Sequence, residues 1–422
     1  MGKTSTTLAA FELLRSQDMV KTMLVVAPIK PMYGTWIQEA QKWEDFNHLK
    51  FTVLHGSRKN ANLRAKSDVY LINPEGLDWL FKQPNLPAWD VLCIDESTKF
   101  KNATSKRSKL LQKHYQDFYY RWILTGTITP NGLEDLFGQV RVMDEGVALG
   151  KYITHYRNKY FYSTGFGGYT FAPMPGALEK ITDKVAHMVL KLDAEDYLDM
   201  PTFEKIIRPV EMPEAAIATY KQVEKEFITN LKGGTIVAAN AAAAGTKCRQ
   251  IANGAVYDDE REIHSVHQAK IEALEEIVEE TNGNPLLIMY EFEHDKLRIL
   301  KLLGKNAVCI TGVTGSKFTK IQDKFNAGGI PYLLAHGGNV HGLNIHGNCF
   351  HIVWFGITWN LEHYIQSVWR LYRQGQKSKR VLCYMLAAKG TLDEKVVSVL
   401  DHKEEAQTKV EDLLMEYGSV YN

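Results

Sequence analysis

The stretch that decides the fold is Val91-Leu92-Cys93-Ile94-Asp95-Glu96. Four consecutive apolar residues that favour strands, followed at once by two acids, are typical of a strand buried on both faces of a parallel sheet. In α/β proteins, ligands bind at the carboxyl ends of such strands. Asp95 and Glu96 are therefore candidate site residues. The alternative at this point is a strand that merely ends in a solvated acidic turn.

Short apolar segments separated by helical patterns recur along the chain, which is the βαβ arrangement of an α/β fold. In the second half of the chain these segments are 286–290, 307–310, 331–335, 351–355 and 380–384. The pattern predicts one parallel sheet in residues 1–145 and another in residues 285–388. A mostly helical insertion and linker at 146–284 would separate them, and a helical segment at 389–422 would follow.

The chain opens with Gly2-Lys3-Thr4 ahead of a helical pattern. This is the second half of a phosphate-binding loop, in which the Lys reaches the β- and γ-phosphates and the Thr hydroxyl holds magnesium. The first glycine of the loop would lie before residue 1, so we expect the loop to lack its start. In this scheme Asp95 is the second magnesium ligand, and Glu96 orients or deprotonates an attacking water.

Residues 366–376 read Gln-Ser-Val-Trp-Arg-Leu-Tyr-Arg-Gln-Gly-Gln. If this stretch is helical, Gln366, Arg370 and Arg373 share one face. Guanidinium forks hold phosphate in a fixed geometry, and an arginine beside a transferring phosphoryl group stabilises its charge. The alternative is a solvated helix face with two ordinary arginines.

A basic run follows the two acids. Between residues 99 and 116 there is no Asp or Glu, and the basic residues are Lys99, Lys101, Lys106, Arg107, Lys109 and Lys113. Such a run can contact phosphates of a nucleic acid without reading its sequence. A solvated basic helix face is the alternative.

Taken in order, these segments resemble the Swi/Snf-type helicase-like ATPases of superfamily two, in particular the compact forms found in bacteriophages. Thr98 stands where the family's acidic box usually has His, and Ile128-Thr129 departs from the usual order before Pro130. The segments that carry the resemblance are 2–4, 24–43, 70–75, 95–102, 124–134, 285–292, 337–344 and 366–376.

The resemblance implies two RecA-like lobes that bind ATP and Mg²⁺ in the cleft between them and move along double-stranded DNA, with single-stranded DNA or RNA as alternative partners. It implies no membrane partner, a phage origin and therefore the host cytoplasm. The residues that it assigns to catalysis are Glu96, Gln366, Arg370 and Arg373. Those assigned to nucleotide are Gly2, Lys3, Thr4, Asp95 and Gly342, and those assigned to nucleic acid are Lys99, Lys101, Lys106, Arg107 and Thr125.

Composition excludes some classes of protein without adding to the assignment. The net charge is +1, and the five cysteines are scattered without a Cys-x-x-Cys pair, which argues against a disulfide framework or a zinc finger. No apolar run approaches the ~18 residues of a membrane span. Two alternatives stay open: a nucleic-acid-binding module whose ATP turnover is defective because the phosphate loop is truncated, and an RNA helicase.

Overall fold

The computed structural model describes residues 2–164, 170–192, 197–232, 238–340 and 342–418. Contacts within the chain divide it into two units. The first unit comprises Met1–Ser163, Phe171–Leu192 and Ala406–Asn422, and the second comprises Thr164–Thr170 and Asp193–Glu405. In the described part of the chain, no helix is both long enough and apolar enough to cross a membrane.

The secondary structure alternates between strands and helices in both halves of the chain. Up to residue 186 the elements are α1 (Lys3–Ser16), β1 (Met23–Val26), α2 (Ile29–Tyr33), α3 (Thr35–Gln41), β2 (Phe51–Val53), α4 (Lys59–Leu63), β3 (Val69–Ile72), α5 (Leu77–Leu80), β4 (Val91–Asp95), α6 (Lys106–Gln112), β5 (Tyr120–Leu124), α7 (Glu134–Asp144), α8 (Ile153–Tyr160), β6 (Phe161–Thr164), β7 (Thr170–Pro173) and α9 (Ala177–Ala186).

The second half continues the alternation. From residue 202 the elements are β8 (Thr202–Val210), α10 (Glu214–Lys232), α11 (Ala238–Asn253), β9 (Ala255–Tyr257), β10 (Ile263–Ser265), α12 (Ala269–Glu280), β11 (Leu286–Tyr290), α13 (Glu293–Leu303), β12 (Ala307–Cys309), α14 (Gly315–Asn326), β13 (Tyr332–His336), β14 (His351–Trp354), α15 (Leu361–Val368), β15 (Arg380–Ala388) and α16 (Leu392–Gly418).

The first unit is built round a five-stranded sheet in the order β2-β3-β1-β4-β5, and every pairing in it is parallel. Alternate residues of a strand point to opposite faces. Leu92 and Ile94 of β4 pack in one core with residues of α5 and α6, whereas Val91 and Cys93 pack in another core with residues of α1 and α3. Helices cover both faces, which is why β4 has no polar residue before Asp95.

The second unit is built in the same way round a six-stranded parallel sheet in the order β12-β13-β11-β14-β15-β8. Leu287 and Met289 of β11 pack with residues of α14, α15 and α16, whereas Leu286 and Ile288 pack with residues of α12 and α13. The five strands predicted in this half all form. The α/β class with two RecA-like parallel sheets is confirmed.

The sixth strand of this sheet, β8, comes from the segment at 146–284 that we predicted to be mostly helical. The segment does contain α8 to α12, but β8 pairs in parallel along β15, from Thr202 opposite Arg380 to Val210 opposite Ala388. An edge strand has one neighbour, so it tolerates polar residues and proline, such as Pro209, which lacks a backbone N–H. Because β8 alternates exposed and partly buried residues, it lacks the continuous apolar run that marked the other strands.

A buried ion pair joins separate elements of the second unit. The Nζ of Lys270, at the start of α12, lies 2.6 Å from Asp393 Oδ2, and neither side chain has more than 3% of its surface exposed. The same Nζ donates to Asn253 Oδ1 at 2.8 Å and to Phe355 O at 3.1 Å. Three partners satisfy the three N–H groups of the ammonium, so a charge held away from water is compensated.

We expect Lys270→Met to destabilise the protein by about 3–5 kcal/mol, because it leaves the Asp393 carboxylate buried without its counter-ion. Urea denaturation followed by circular dichroism measures the change, with Lys305→Met, at an exposed lysine, as the matched control. Adding Asp393→Leu should restore part of the lost stability. A Lys270→Met protein as stable as the wild type would contradict the assignment.

Candidate active site

The helix α1 begins where the sequence predicted the end of a phosphate-binding loop. Its N-cap residue, Gly2, has a φ of 59° and a ψ of 3°, a left-handed conformation that glycine adopts without strain. Because Gly2 has no side chain, it cannot cap the N–H groups of the first helical turn, which favour an anion at this position. Lys3 and Thr4 are the first two residues of the helix, and both are half-buried.

The strands β4 and β5 bring two further predicted segments to the same edge of the sheet. Asp95 is paired with Leu124 at the end of their ladder, so the two acids stand beside residues 124–127. We call these residues the coupling turn, because their sequence resembles the coupling motif of the family. A Cβ on Gly126 would lie 3.6 Å from Lys3 Nζ, so the lysine ammonium lies against this turn. The structure therefore brings Lys3, Asp95 and the coupling turn together within the first unit.

The Asp95 carboxyl is perturbed by its surroundings. Burial and then the charge of Glu96 raise its pKa to about 6, while the charge of Lys3 and a hydrogen bond from Trp36 oppose the rise. The Trp36 Nε1–H donates to Asp95 Oδ2 at 3.0 Å, and Trp36, on α3, is fully buried. Trp36 lies in segment 24–43, one of those that carry the family resemblance, but its hydrogen bond to Asp95 was not predicted from the sequence.

Glu96 has a strained backbone. Its φ of 57° and ψ of 60° lie in the left-handed region, which costs a non-glycine residue roughly 1–2 kcal/mol. Such conformations persist only where neighbouring groups hold them, and they cluster at functional sites. The next residues form a 3₁₀ helix, Ser97–Phe100, in which Thr98 is buried.

The groups present fit magnesium-bound nucleotide. The predicted metal ligands Thr4 and Asp95 offer a hydroxyl and a carboxylate, the oxygen ligands that Mg²⁺ takes, and this ion completes its shell with water and substrate phosphates. In the ranges that the structure describes, no three His, Cys, Asp or Glu side chains are grouped to hold a metal by themselves.

The predicted nucleic-acid residues differ in their surroundings. Three of them form ion pairs with acids. The distances are 3.4 Å from Lys101 Nζ to Asp135 Oδ2, 3.6 Å from Lys106 Nζ to Asp78 Oδ1, and 3.7 Å from Arg107 Nη1 to Glu75 Oε1.

Lys99 is exposed. The Thr125 hydroxyl donates to Thr127 O at 2.7 Å and accepts from Thr127 N at 3.1 Å, so it closes its own turn. Of the basic residues, Lys99 is the exposed one nearest in sequence to Asp95 and Glu96. A role of these residues in binding nucleic acid stays a prediction.

The helical reading of residues 366–376 is wrong beyond residue 368, where α15 ends. Arg370 and Arg373 lie in the turns that follow, so they do not continue the helix face of Gln366. The helix stops because its last carbonyls are satisfied differently: Arg370 N bonds Ser367 O at 3.2 Å, in the tighter i to i+3 pattern, and Arg370 Nε donates to Gln366 O at 3.1 Å.

Two contacts fix the turns that carry these arginines. The Gln376 side-chain N–H groups donate to Cys349 O at 2.9 Å and Leu371 O at 3.1 Å. His346 is the second contact, since a Cβ on Gly375 would lie 3.2 Å from His346 Nε2. Burial and then the charge of Arg373 lower the pKa of His346. Nothing in the position of His346 along the sequence predicts this contact.

Gly342, predicted to approach nucleotide, has a φ of 74° and lies just after a 3₁₀ helix, Gly337–Asn339. A left-handed glycine at this position fits a sharp turn of the backbone. His341, in the same motif, lies outside the described residues. Nucleotide binding by Gly342 stays a prediction.

Comparisons with known proteins give the family. Residues 1–255, more than half of the chain, match the SNF2-related domain, and residues 269–375 match the helicase conserved C-terminal domain. The chain is 34% identical to putative protein p41 of Acyrthosiphon pisum secondary endosymbiont phage 1, over 99% of this chain and 92% of that protein. The chain therefore belongs to the SNF2-related family of helicase-like ATPases, and its relatives include a compact phage protein.

Other relatives are much longer proteins. DNA repair protein RAD5 of Gibberella zeae is 27% identical over 53% of this chain, which spans only 21% of that protein. Transcription regulatory protein SNF2 of Saccharomyces cerevisiae is 28% identical over 32% of this chain and 8% of its own length. Among solved structures, the Sulfolobus solfataricus SWI2/SNF2 ATPase core in complex with dsDNA is 21% identical, with a TM-score of 0.40, over 97% of this chain and 88% of that chain.

The raised pKa of Asp95 predicts a pH-dependent stability. In the folded protein the Asp95 carboxyl keeps its proton up to about pH 6, whereas the ordinary pKa of an Asp carboxyl is 3.8. The contribution of the protonated Asp95 to the free energy of unfolding is therefore present at low pH, and it is lost as the pH rises from 3.8 to about 6. Asp95→Asn removes the titration, so we expect it to stabilise the protein above pH 6 by roughly 1–3 kcal/mol.

Thermal unfolding in EDTA at pH 5 and pH 8 measures this effect. The gain in stability that Asp95→Asn gives should be larger at pH 8 than at pH 5. Asp45→Asn, at an exposed acid, should show no such difference. A loss of stability in Asp95→Asn at pH 8 would contradict the analysis.

Proposed function

We propose that this protein is a DNA-dependent ATPase that moves along double-stranded DNA. Membership of the SNF2-related family supports ATP-driven action on DNA. The observation that carries the proposal for this chain is the meeting of Lys3, Asp95 and the coupling turn at one edge of the first sheet. A cation and an acid beside an uncapped helix start are suited to bind a magnesium-bound polyphosphate.

Each residue of this edge has a distinct part in the proposed reaction. Lys3 and the N–H groups at the start of α1 would bind phosphate oxygens, and Thr4 and Asp95 would hold Mg²⁺. When bound, the ion would neutralise charge on the phosphates. Asp95 is suited to this because a pKa of about 6 leaves it largely ionised at neutral pH. Glu96 would orient the attacking water and accept its proton.

In the second unit, we extend the proposal to Gln366, Arg370, Arg373 and Gly342. The two guanidiniums would stabilise charge that develops on the phosphates. The hydrogen bonds that the Gln376 side-chain amide donates to Cys349 O and Leu371 O support this part of the proposal, because they hold the turns that carry both arginines.

Double-stranded DNA is the partner that we propose. The exposed Lys99, which follows Asp95 and Glu96 closely in the sequence, is suited to a phosphate contact. Binding through phosphates is independent of base sequence and falls steeply with salt. Single-stranded DNA and RNA are alternatives that a direct comparison of the three nucleic acids distinguishes.

The first experiment is ATP hydrolysis by the 422-residue chain, with and without duplex DNA, single-stranded DNA or RNA. We expect duplex DNA to give the largest increase. Glu96→Gln should lower the DNA-stimulated rate by about 10²–10⁴-fold, because a general base contributes about that much, while DNA binding persists.

Each other outcome supports a different function. DNA binding of ordinary strength without stimulated hydrolysis would favour a nucleic-acid-binding module with defective ATP turnover. Stronger stimulation by RNA than by duplex DNA would favour an RNA helicase. Hydrolysis that survives Glu96→Gln unchanged would contradict the role given to Glu96.

A second prediction concerns the basic run. Lys99→Ala should weaken DNA binding for all sequences alike and lower the slope of log binding constant against log salt by about 1, the effect of one lost phosphate contact. Fluorescence anisotropy with a labelled duplex at several salt concentrations measures the slope. Lys66→Ala, at an exposed lysine between α4 and β3, is the control. Equal slopes for both variants would contradict a contact at Lys99.

A further inference from the structure

The helix α7 lies directly against the acidic box of the first unit. A Cβ at Gly138 would lie 2.2 Å from Lys101 O and 2.5 Å from Phe100 O, so only glycine lets the helix approach the 3₁₀ helix Ser97–Phe100 this closely. The contact is backbone to backbone, which leaves little freedom to shift one segment without the other.

The next residue of α7, Gln139, is fully buried and uses its whole carboxamide. The Ser97 hydroxyl donates to Gln139 Oε1 at 2.7 Å. Gln139 Nε2 donates to Ile128 O and to Asp135 O, both at 2.8 Å. The orientation of the amide is fixed chemically, because the two backbone carbonyls only accept and therefore require the NH₂ side.

The partners of Gln139 stand next to functional segments. Ser97 directly follows Glu96, whose left-handed backbone must be held by its surroundings. Ile128 directly follows the coupling turn, against which the Lys3 ammonium lies. One fully buried side chain thus ties the acidic box to the coupling turn through two short hydrogen bonds, and burial strengthens such bonds.

A second link runs parallel to the first, one turn earlier on α7. Asp135 Oδ2 accepts from Asn131 N at 2.9 Å and from Asn131 Nδ2 at 3.1 Å, and lies 3.4 Å from Lys101 Nζ. It therefore also joins the box to the loop after the coupling turn. Two links from one helix leave the box and the turn fewer ways to move independently.

We propose that Gln139 is a positioning residue that holds Glu96 and the coupling turn in a fixed relation, so that a shift of the turn is passed to Glu96. Gln139 does not touch the nucleotide. It acts through Ser97 on one side and through Ile128 on the other. This inference rests on the proposed ATPase function. It gives Gln139, which lies outside the family segment 124–134, a part in coupling nucleic-acid binding to ATP hydrolysis.

The test replaces Gln139 by Met, which has similar length but neither donates nor accepts as an amide does. We expect Gln139→Met to lower kcat of DNA-stimulated hydrolysis by about 10- to 100-fold, since a small misplacement of a reacting group has effects of this size. The KM for ATP should stay within about twofold, because binding of the nucleotide is not disturbed.

Two controls separate positioning from loss of fold. Val140→Ala removes buried methyl groups from the same helix without touching these hydrogen bonds, and it should leave kcat within about twofold of the wild type even with a comparable fall in Tm. Ser97→Ala should lower kcat in the same direction, and the double variant should lose no more than Gln139→Met alone, because both act on one link. Losses that multiply, or an equal loss in Val140→Ala, would overturn the proposal.

Hydrogen exchange keeps the test valid if the chain does not hydrolyse ATP at all. In that case the proposed function fails, and the link is judged from amide exchange in peptides 91–101 and 124–131. Gln139→Met should speed exchange in both peptides together, whereas Val140→Ala should not. Unchanged exchange in Gln139→Met, or a change confined to one peptide, would show that Gln139 does not couple the two segments.

Discussion

Two adjacent carboxylates at the end of a buried strand are the constraint on which the rest of the site depends. Asp95 and Glu96 repel each other, and burial raises the pKa of Asp95 to about 6. The first unit offsets this with the charge of Lys3 and the hydrogen bond from Trp36. The arrangement stabilises the fold less than an apolar strand end would, and such a cost is typical of sites that serve a function.

The parallel sheets explain why these groups meet. A strand covered by helices on both faces can place polar side chains only at its ends, and parallel strands end together at one edge. Asp95 and Leu124 are paired at that edge, and α1 starts there with Lys3. Ser97, next to the left-handed Glu96, is hydrogen-bonded to Gln139 on a helix that Gly138 allows to lie against it.

Sequence patterns predicted the two parallel sheets, and they failed where an element depends on its neighbours in the folded chain. The roles given to Lys3, Asp95 and Glu96 stay predictions. β4 and β11 were readable because burial on both faces demands continuous apolar residues. β8 was missed because an edge strand carries no such demand. The spacing of Gln366, Arg370 and Arg373 suits a helix, but α15 ends at residue 368, and Arg370 Nε instead of a backbone N–H donates to Gln366 O.

The sequence by itself determined the α/β class and the order of the motifs, and it indicated Lys3, Asp95 and Glu96 as candidate site residues, because strand burial and phosphate chemistry restrict which residues can stand in such places. Only the tertiary structure decided that Trp36 bonds Asp95 and that Gln139 joins Ser97 to Ile128. A tryptophan and a glutamine suit many positions in a core, and nothing in their spacing along the chain records which donor meets which acceptor after folding.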